Sequence, residues 1–109
     1  MIIQKRQHPR ALMPWVMEVV YELRSKRYRR TVLNLSAGGM FIQSRRSPPD
    51  NCELKLSFEV DGKLISCLAH VVHSRADVGF GVLFVDLAES DRALVRDLVE
   101  RVSQLVGVA

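Results

Sequence analysis

Between Cys52 and Val60 apolar and polar side chains alternate without a break. Leu54, Leu56, Phe58 and Val60 fall on one side, and Glu53, Lys55, Ser57 and Glu59 on the other. A period of two is the mark of a strand with one buried face. Asp61-Gly62 follows, a pair suited to a two-residue hairpin because both central positions of a type I′ turn need positive φ. The returning strand is KLISCLAHVVHSR, Lys63 to Arg75. Upstream, WVMEVVYELR (Trp15 to Arg24) reads as a strand, joined by SKR to a second one, YRRTVLNL (Tyr28 to Leu35). A short strand MFIQS comes next, and Pro48, Pro49, Asp50 and Asn51 then mark a turn. The last strand is VGFGVLFVDL, whose Gly79 and Gly81 signal a bend, a bulge or a close approach by another group.

After Asp86 the period lengthens. Leu94, Val95, Leu98, Val99, Val102, Leu105 and Val106 recur at helical spacing and predict an amphipathic helix over about 89–106. Asp86 or Ser90 is the expected cap, with Glu89 and Asp91 at the positive end of the helix dipole. Strands joined by short connections and followed by one helix predict a mainly β fold. The expected form is a six-stranded antiparallel meander closed into a small barrel so that its edges are hidden. At 109 residues the chain is one domain.

Composition narrows the class. With 48% hydrophobic and 26% charged residues the chain reads as globular. Its apolar runs are too short to span a bilayer, and its start lacks the apolar core of a secretory signal, so the expected location is the cytoplasm. Cys52 and Cys67 are then expected as free thiols. Cys67, His70 and His73 do not make a metal site by spacing: on a regular strand Cys67 and His73 share one face and His70 the other. No metal and no cofactor are expected. The net charge of +4 is unevenly placed, with Lys5, Arg6 and Arg10 near the start and Arg24, Lys26, Arg27, Arg29 and Arg30 in a second cluster. Such asymmetry points to an anionic partner.

Two short motifs carry candidate chemistry. In NLSAGGM, Asn34 and Ser36 lie two apart and would present an amide and a hydroxyl on one side of a strand, while Gly38 and Gly39 add almost no bulk. A plain tight turn, with Asn and Ser bonding their own backbone, is the alternative. In RQHPR, Arg6 and Arg10 flank Pro9, which holds His8 extended, so this is not a helix face. Guanidiniums fork onto phosphates or onto the O6 and N7 edge of guanine, and stack on base planes. A solvated basic tail is the alternative.

Together the motifs resemble the paired signature of PilZ domains, the bacterial receptors for cyclic di-GMP. That signature is Arg, three residues, Arg, then Asp or Asn, one residue, Ser, two residues, Gly. Arg6 and Arg10, then Asn34, Ser36 and Gly39, match it, and GMFIQS, VGFGVLFVDL and the closing helix are similar to the family over essentially the whole chain. The resemblance implies a six-stranded barrel over 13–109, with 1–12 as a flexible switch segment that wraps the ligand. It implies that Arg6 and Arg10 bind guanine edges and phosphates, that Asn34 and Ser36 contact a guanine edge, and that Gly39 leaves room for the purine. Lys5 stands where many members carry a further arginine, and lysine lacks the planar fork. The family binds one ligand molecule or a stacked pair, and nothing in this chain selects between them.

The function implied is a cyclic di-GMP receptor or adaptor that orders its arginine segment and signals to a protein in trans, at a flagellum, a pilus or an exopolysaccharide synthase. Either a monomer or a dimer is compatible with the sequence. Two other readings stay open. RSKRYRR, with Tyr28 among basic residues, would suit a small nucleic-acid-binding barrel, although 6% aromatics is a thin stacking platform. A protein-interaction adaptor that ignores the nucleotide is the other. An enzyme is not expected, because no nucleophile is paired with a base.

Overall fold

The computed structural model describes residues 10–105. Its strands are β1 (Ala11–Leu12), β2 (Glu18–Leu23), β3 (Lys26–Ser36), β4 (Gly39–Gln43), β5 (Glu53–Val60), β6 (Lys63–Arg75) and β7 (Gly79–Phe84), followed by helix α1 (Glu89–Leu105). The sheet order is β1-β3-β2-β5-β6-β7-β4, and a further β3–β4 pairing joins its ends. Six antiparallel strands therefore close into a barrel, and the two-residue β1 is an addition laid against Asn34 and Leu35. Ala11 and Leu12, expected within the N-terminal segment, are thus part of the sheet.

The chain is not one continuous meander. β2-β3-β4 and β5-β6-β7 are each sequential, but β4 pairs with β7 and β2 with β5. The reason lies in 44–52, where Pro48 and Pro49 cannot extend a ladder, so the chain crosses the end of the barrel before β5 begins. The first hairpin also differs from expectation. Its turn is Arg24-Ser25, at φ 52° and 67°, and Lys26 and Arg27 already belong to β3. β2 starts at Glu18 rather than Trp15. Asp61-Gly62 turns as expected, at φ 51° and 81°.

Inside, Phe80, Leu35, Ile42, Leu54, Leu56 and Ile65 are fully buried and come from five different strands. Fully burying such a side chain contributes about 1.5–3 kcal/mol. Near the 24–25 turn, Tyr21 and Tyr28 stack at 4.7 Å with Phe80 edge-on to Tyr21. Tyr28 is therefore part of the barrel packing, which weakens its case as a platform for a base.

The helix covers the opposite end. Val95, Leu98, Val99 and Val102 are buried, so its apolar stripe is spent on this barrel. Arg92 donates to the Ala37 carbonyl at 2.6 Å, and Lys63–Asp91 and Arg101–Asp61 pin the helix beside the 61–62 turn. Neither expected cap is used. Asp86 accepts the Leu68 N–H, Ser90 lies inside the helix, and the first helical bond runs from the Arg92 N–H to the Ala88 carbonyl. Glu89 and Asp91 do occupy the first turn. No helix of the described residues is long and apolar enough to cross a membrane.

Cys67 is buried, and desolvation pushes its thiol up to about 12. Cys52 is half-buried and raised by the same cause. Neither forms a disulfide.

Candidate ligand groove

Two one-residue slips in the ladder shape the outer wall of the barrel beside β1. Val32 pairs with Ile42 but Asn34 pairs with Phe41, so Leu33 is an extra residue in β3. Likewise Val71 pairs with Val82 but His73 pairs with Gly81, so Val72 is extra in β6. A bulge reverses the alternation beyond it and re-aims the side chains that follow. Val32 and Leu35 can then both point inward, which leaves Asn34 outside. His73, expected on the same face as Cys67, is turned to the outer wall instead. The slip at Val72 is the physical reason.

The result is an open groove of about 660 Å³ lined by Arg10, Leu12, Leu33, Asn34, Phe41, His73, Arg75 and Val78. Its floor is aromatic. The Phe41 and His73 rings lie 5.8 Å apart, tilted by 31°. They lie against glycines: a Cβ on Gly81 would come within 2.5 Å of the His73 ring, and one on Gly79 within 2.9 Å of Phe41, though nearer still, at 2.1 Å, to the Ile42 carbonyl. This is the close approach that the two glycines signalled. Above the floor the groove carries two guanidiniums, Arg10 and Arg75, and no carboxylate. Asn34 Oδ1 is buried and has no hydrogen-bond partner among the described residues. An orphaned buried acceptor costs about 1–3 kcal/mol, so its place beside two arginines is notable.

Of the expected site residues, the structure brings Arg10 and Asn34 together. Ser36 and Gly39 sit one step away, in the β3–β4 turn, and do not line the groove. The Ser36 hydroxyl accepts the N–H groups of Gly38 and Gly39 at 3.2 and 3.1 Å and is bonded to the Gly39 carbonyl as well. Ser36 thus bonds its own backbone, as in the tight turn left open as an alternative, whereas Asn34 Oδ1 does not. Gly39 has its own constraint, because a Cβ there would stand 2.0 Å from the Val82 carbonyl of β7. The missing bulk at that position already has a reason inside the barrel. Arg6, with Lys5, lies outside the described residues.

Phe41, His73 and Arg75 are groove residues that the motifs did not point to. Periodicity could not have found His73, since a regular strand turns it the wrong way. The available signal was the pair Gly79 and Gly81, two apart and so on one face, leaving a hollow that some ring had to fill. No group of histidine, cysteine, aspartate or glutamate suited to a metal ion occurs among the described residues.

The PilZ domain signature matches residues 4–101, nearly the full chain. This chain belongs to the PilZ domain family. Solved structures agree on the fold of this PilZ domain. It superimposes on the inhibitor of motility MotI/DgrA of Bacillus subtilis with a TM-score of 0.78, at 21% identity, over 98% of this chain and 55% of that one. With the cyclic di-GMP-bound PilZ domain of YcgR from Escherichia coli the TM-score is 0.75, at 11% identity, over 94% and 95% of the two chains. With the PlzA protein of Borreliella burgdorferi, in complex with cyclic di-GMP, it is 0.69, at 16% identity, over 87% and 41%. The present chain thus spans about half the length of MotI. A search by sequence against curated proteins returned no match.

Proposed function

We propose that this PilZ domain is a cyclic di-GMP receptor whose ligand lies in the groove between β1, β3, β4 and β6. The observation that carries the reading is the unpartnered Asn34 amide oxygen beside Arg10 and Arg75, over the Phe41–His73 floor. A ligand with two phosphates and two guanines offers what those groups want: anionic oxygens and O6/N7 edges for guanidiniums, N–H donors for an amide oxygen, and flat faces for rings. The groove volume is within the about 300–1,000 Å³ of small-molecule sites.

In this reading Arg6 and Arg10 close on the ligand from the N-terminal side. Asn34 accepts from a guanine edge, and Ser36 and Gly39 hold the turn from which Asn34 projects. Arg75 adds a second cation from β6. Fixing part of an N-terminal switch segment on the ligand would cost about 1–2 kcal/mol of backbone entropy per residue fixed, so the segment must recover that cost through ligand contacts. That balance lets it report the ligand to a protein partner. The YcgR domain and PlzA are described as complexes with cyclic di-GMP, which supports the assignment of ligand.

Calorimetric titration with cyclic di-GMP, with GTP as control, tests this directly. Saturable micromolar binding of cyclic di-GMP alone is expected, and the stoichiometry distinguishes one ligand molecule from two. Absence of heat, with no change in protection of residues 1–12, would overturn the assignment.

A further inference from the structure

We infer that the end of the barrel opposite the helix, built around Arg30, Arg45 and Arg46, is a docking surface for an acidic segment of a protein partner. These three arginines and Ser44 line a second hollow of about 360 Å³ that shares no residue with the ligand groove. Arg30 is held in place there. Its Nε donates to Ser44 Oγ at 3.4 Å, its Nη1 to the Arg29 carbonyl, and its guanidinium lies 5.5 Å from the centre of the Tyr28 ring. Ser44 in turn donates to the Arg46 carbonyl and fixes the bend that carries Arg45 and Arg46, both exposed.

The cluster itself lacks carboxylates. Arg27, Arg29, Arg92, Arg96 and Arg101 each have a carboxylate partner. Among the described residues Arg30, Arg45 and Arg46 form no ion pair, so three like charges converge uncompensated. Such a surface draws an anion to it. Most acidic groups at the helix end are already engaged and so poorly suited as its complement in a second copy. Asp61, Asp91 and Asp97 are already paired with Arg101 or Lys63, and Glu89 with Arg92 and Arg96.

The chemistry of the hollow also favours one class of anion. Base stacking would need a free aromatic face, and Tyr28 is stacked on Tyr21. Insertion into a lipid surface would need exposed apolar side chains at the hollow, and its lining has none. What remains is a shallow cationic surface of exposed, mobile-stemmed arginines around one fixed guanidinium, which suits a run of aspartate and glutamate. The inference does not rest on the cyclic di-GMP reading, and its test needs no cyclic di-GMP.

The test uses the full chain, a fluorescent decaglutamate peptide read by anisotropy at low salt, and amide shifts in the labelled protein. Binding is expected to move Arg30 and Ser44 to Ser47 and to weaken at least tenfold in Arg45→Ala/Arg46→Ala. The double variant Lys55→Ala/Arg96→Ala, which removes the same charge elsewhere, is expected to change it less than twofold. Equal losses from the two variants would overturn the proposal, because net charge alone would then be acting. So would a tenfold preference for a thymidine decanucleotide over the peptide, capture by phosphatidylglycerol vesicles in preference to it, or no binding at all.

Discussion

Replacing Arg10 by alanine is expected to weaken cyclic di-GMP binding by about 1–3 kcal/mol, the worth of one bidentate guanine contact. Arg27→Ala, on the hairpin and paired with Glu22, should change it little; calorimetry on both variants separates a fitted contact from diffuse charge. Gly39→Ala acts on the barrel instead. Its Cβ meets a backbone carbonyl that cannot swing aside, so a stability loss of about 1–3 kcal/mol is expected in urea unfolding, with or without ligand. Cys67 adds a pH dependence. Its thiol is raised from 9.0 to about 12 in the folded chain, so above pH 9 the unfolded state holds fewer protons than the native one. Stability from this group is therefore complete below pH 9 and falls as pH rises towards 12. Thermal melts of the wild type and Cys67→Ala across that range check the slope. At this scale the sequence made Arg10 and Asn34 visible, because the resemblance to PilZ domains rests on their spacing. Phe41, His73 and Arg75 were hidden, because a bulge changes facing without leaving a mark in composition.

The elements were legible where one face is buried and the other wet. Residues 53–60 could be read side chain by side chain, and β6 and α1 came out with nearly their true bounds. Reading failed where tertiary pairing decides. The two-residue β1 has no period to detect, and the exchange of partners that sets β4 beside β7 rests on where the chain crosses at Pro48 and Pro49. The β2–β3 turn is another case, since neither Arg24 nor Ser25 is a residue that favours positive φ. Ser25→Gly should relieve that strain and raise stability by up to about 1 kcal/mol, seen as a higher urea midpoint at unchanged slope.

For the molecule as a whole, the helix is the lid of a closed barrel, and the barrel has two unlike ends. One end is sealed by Val95, Leu98, Val99 and Val102 under a web of ion pairs, and the other exposes arginine. Truncation after residue 89 should therefore leave a chain that does not fold cooperatively, monitored by circular dichroism and amide dispersion. A folded truncated monomer would mean that the helix serves a partner instead. The uneven charge noticed in the sequence translates into this polarity, but which arginines are uncompensated depends on pairings that only the fold creates.

The structural duty of the β3–β4 turn bears on how related chains drift. Ser36 and Gly39 are held by the barrel itself, through the turn bonds and the Val82 carbonyl, so a descendant that abandoned the nucleotide would still be selected to keep them. Asn34 Oδ1 has no such second employer among the described residues, and on the proposed reading an orphaned amide is a standing penalty once its ligand is gone. Among diverging copies the first of these letters to erode should be the asparagine, and it, rather than the glycine, is the one to inspect when asking whether a given copy still listens.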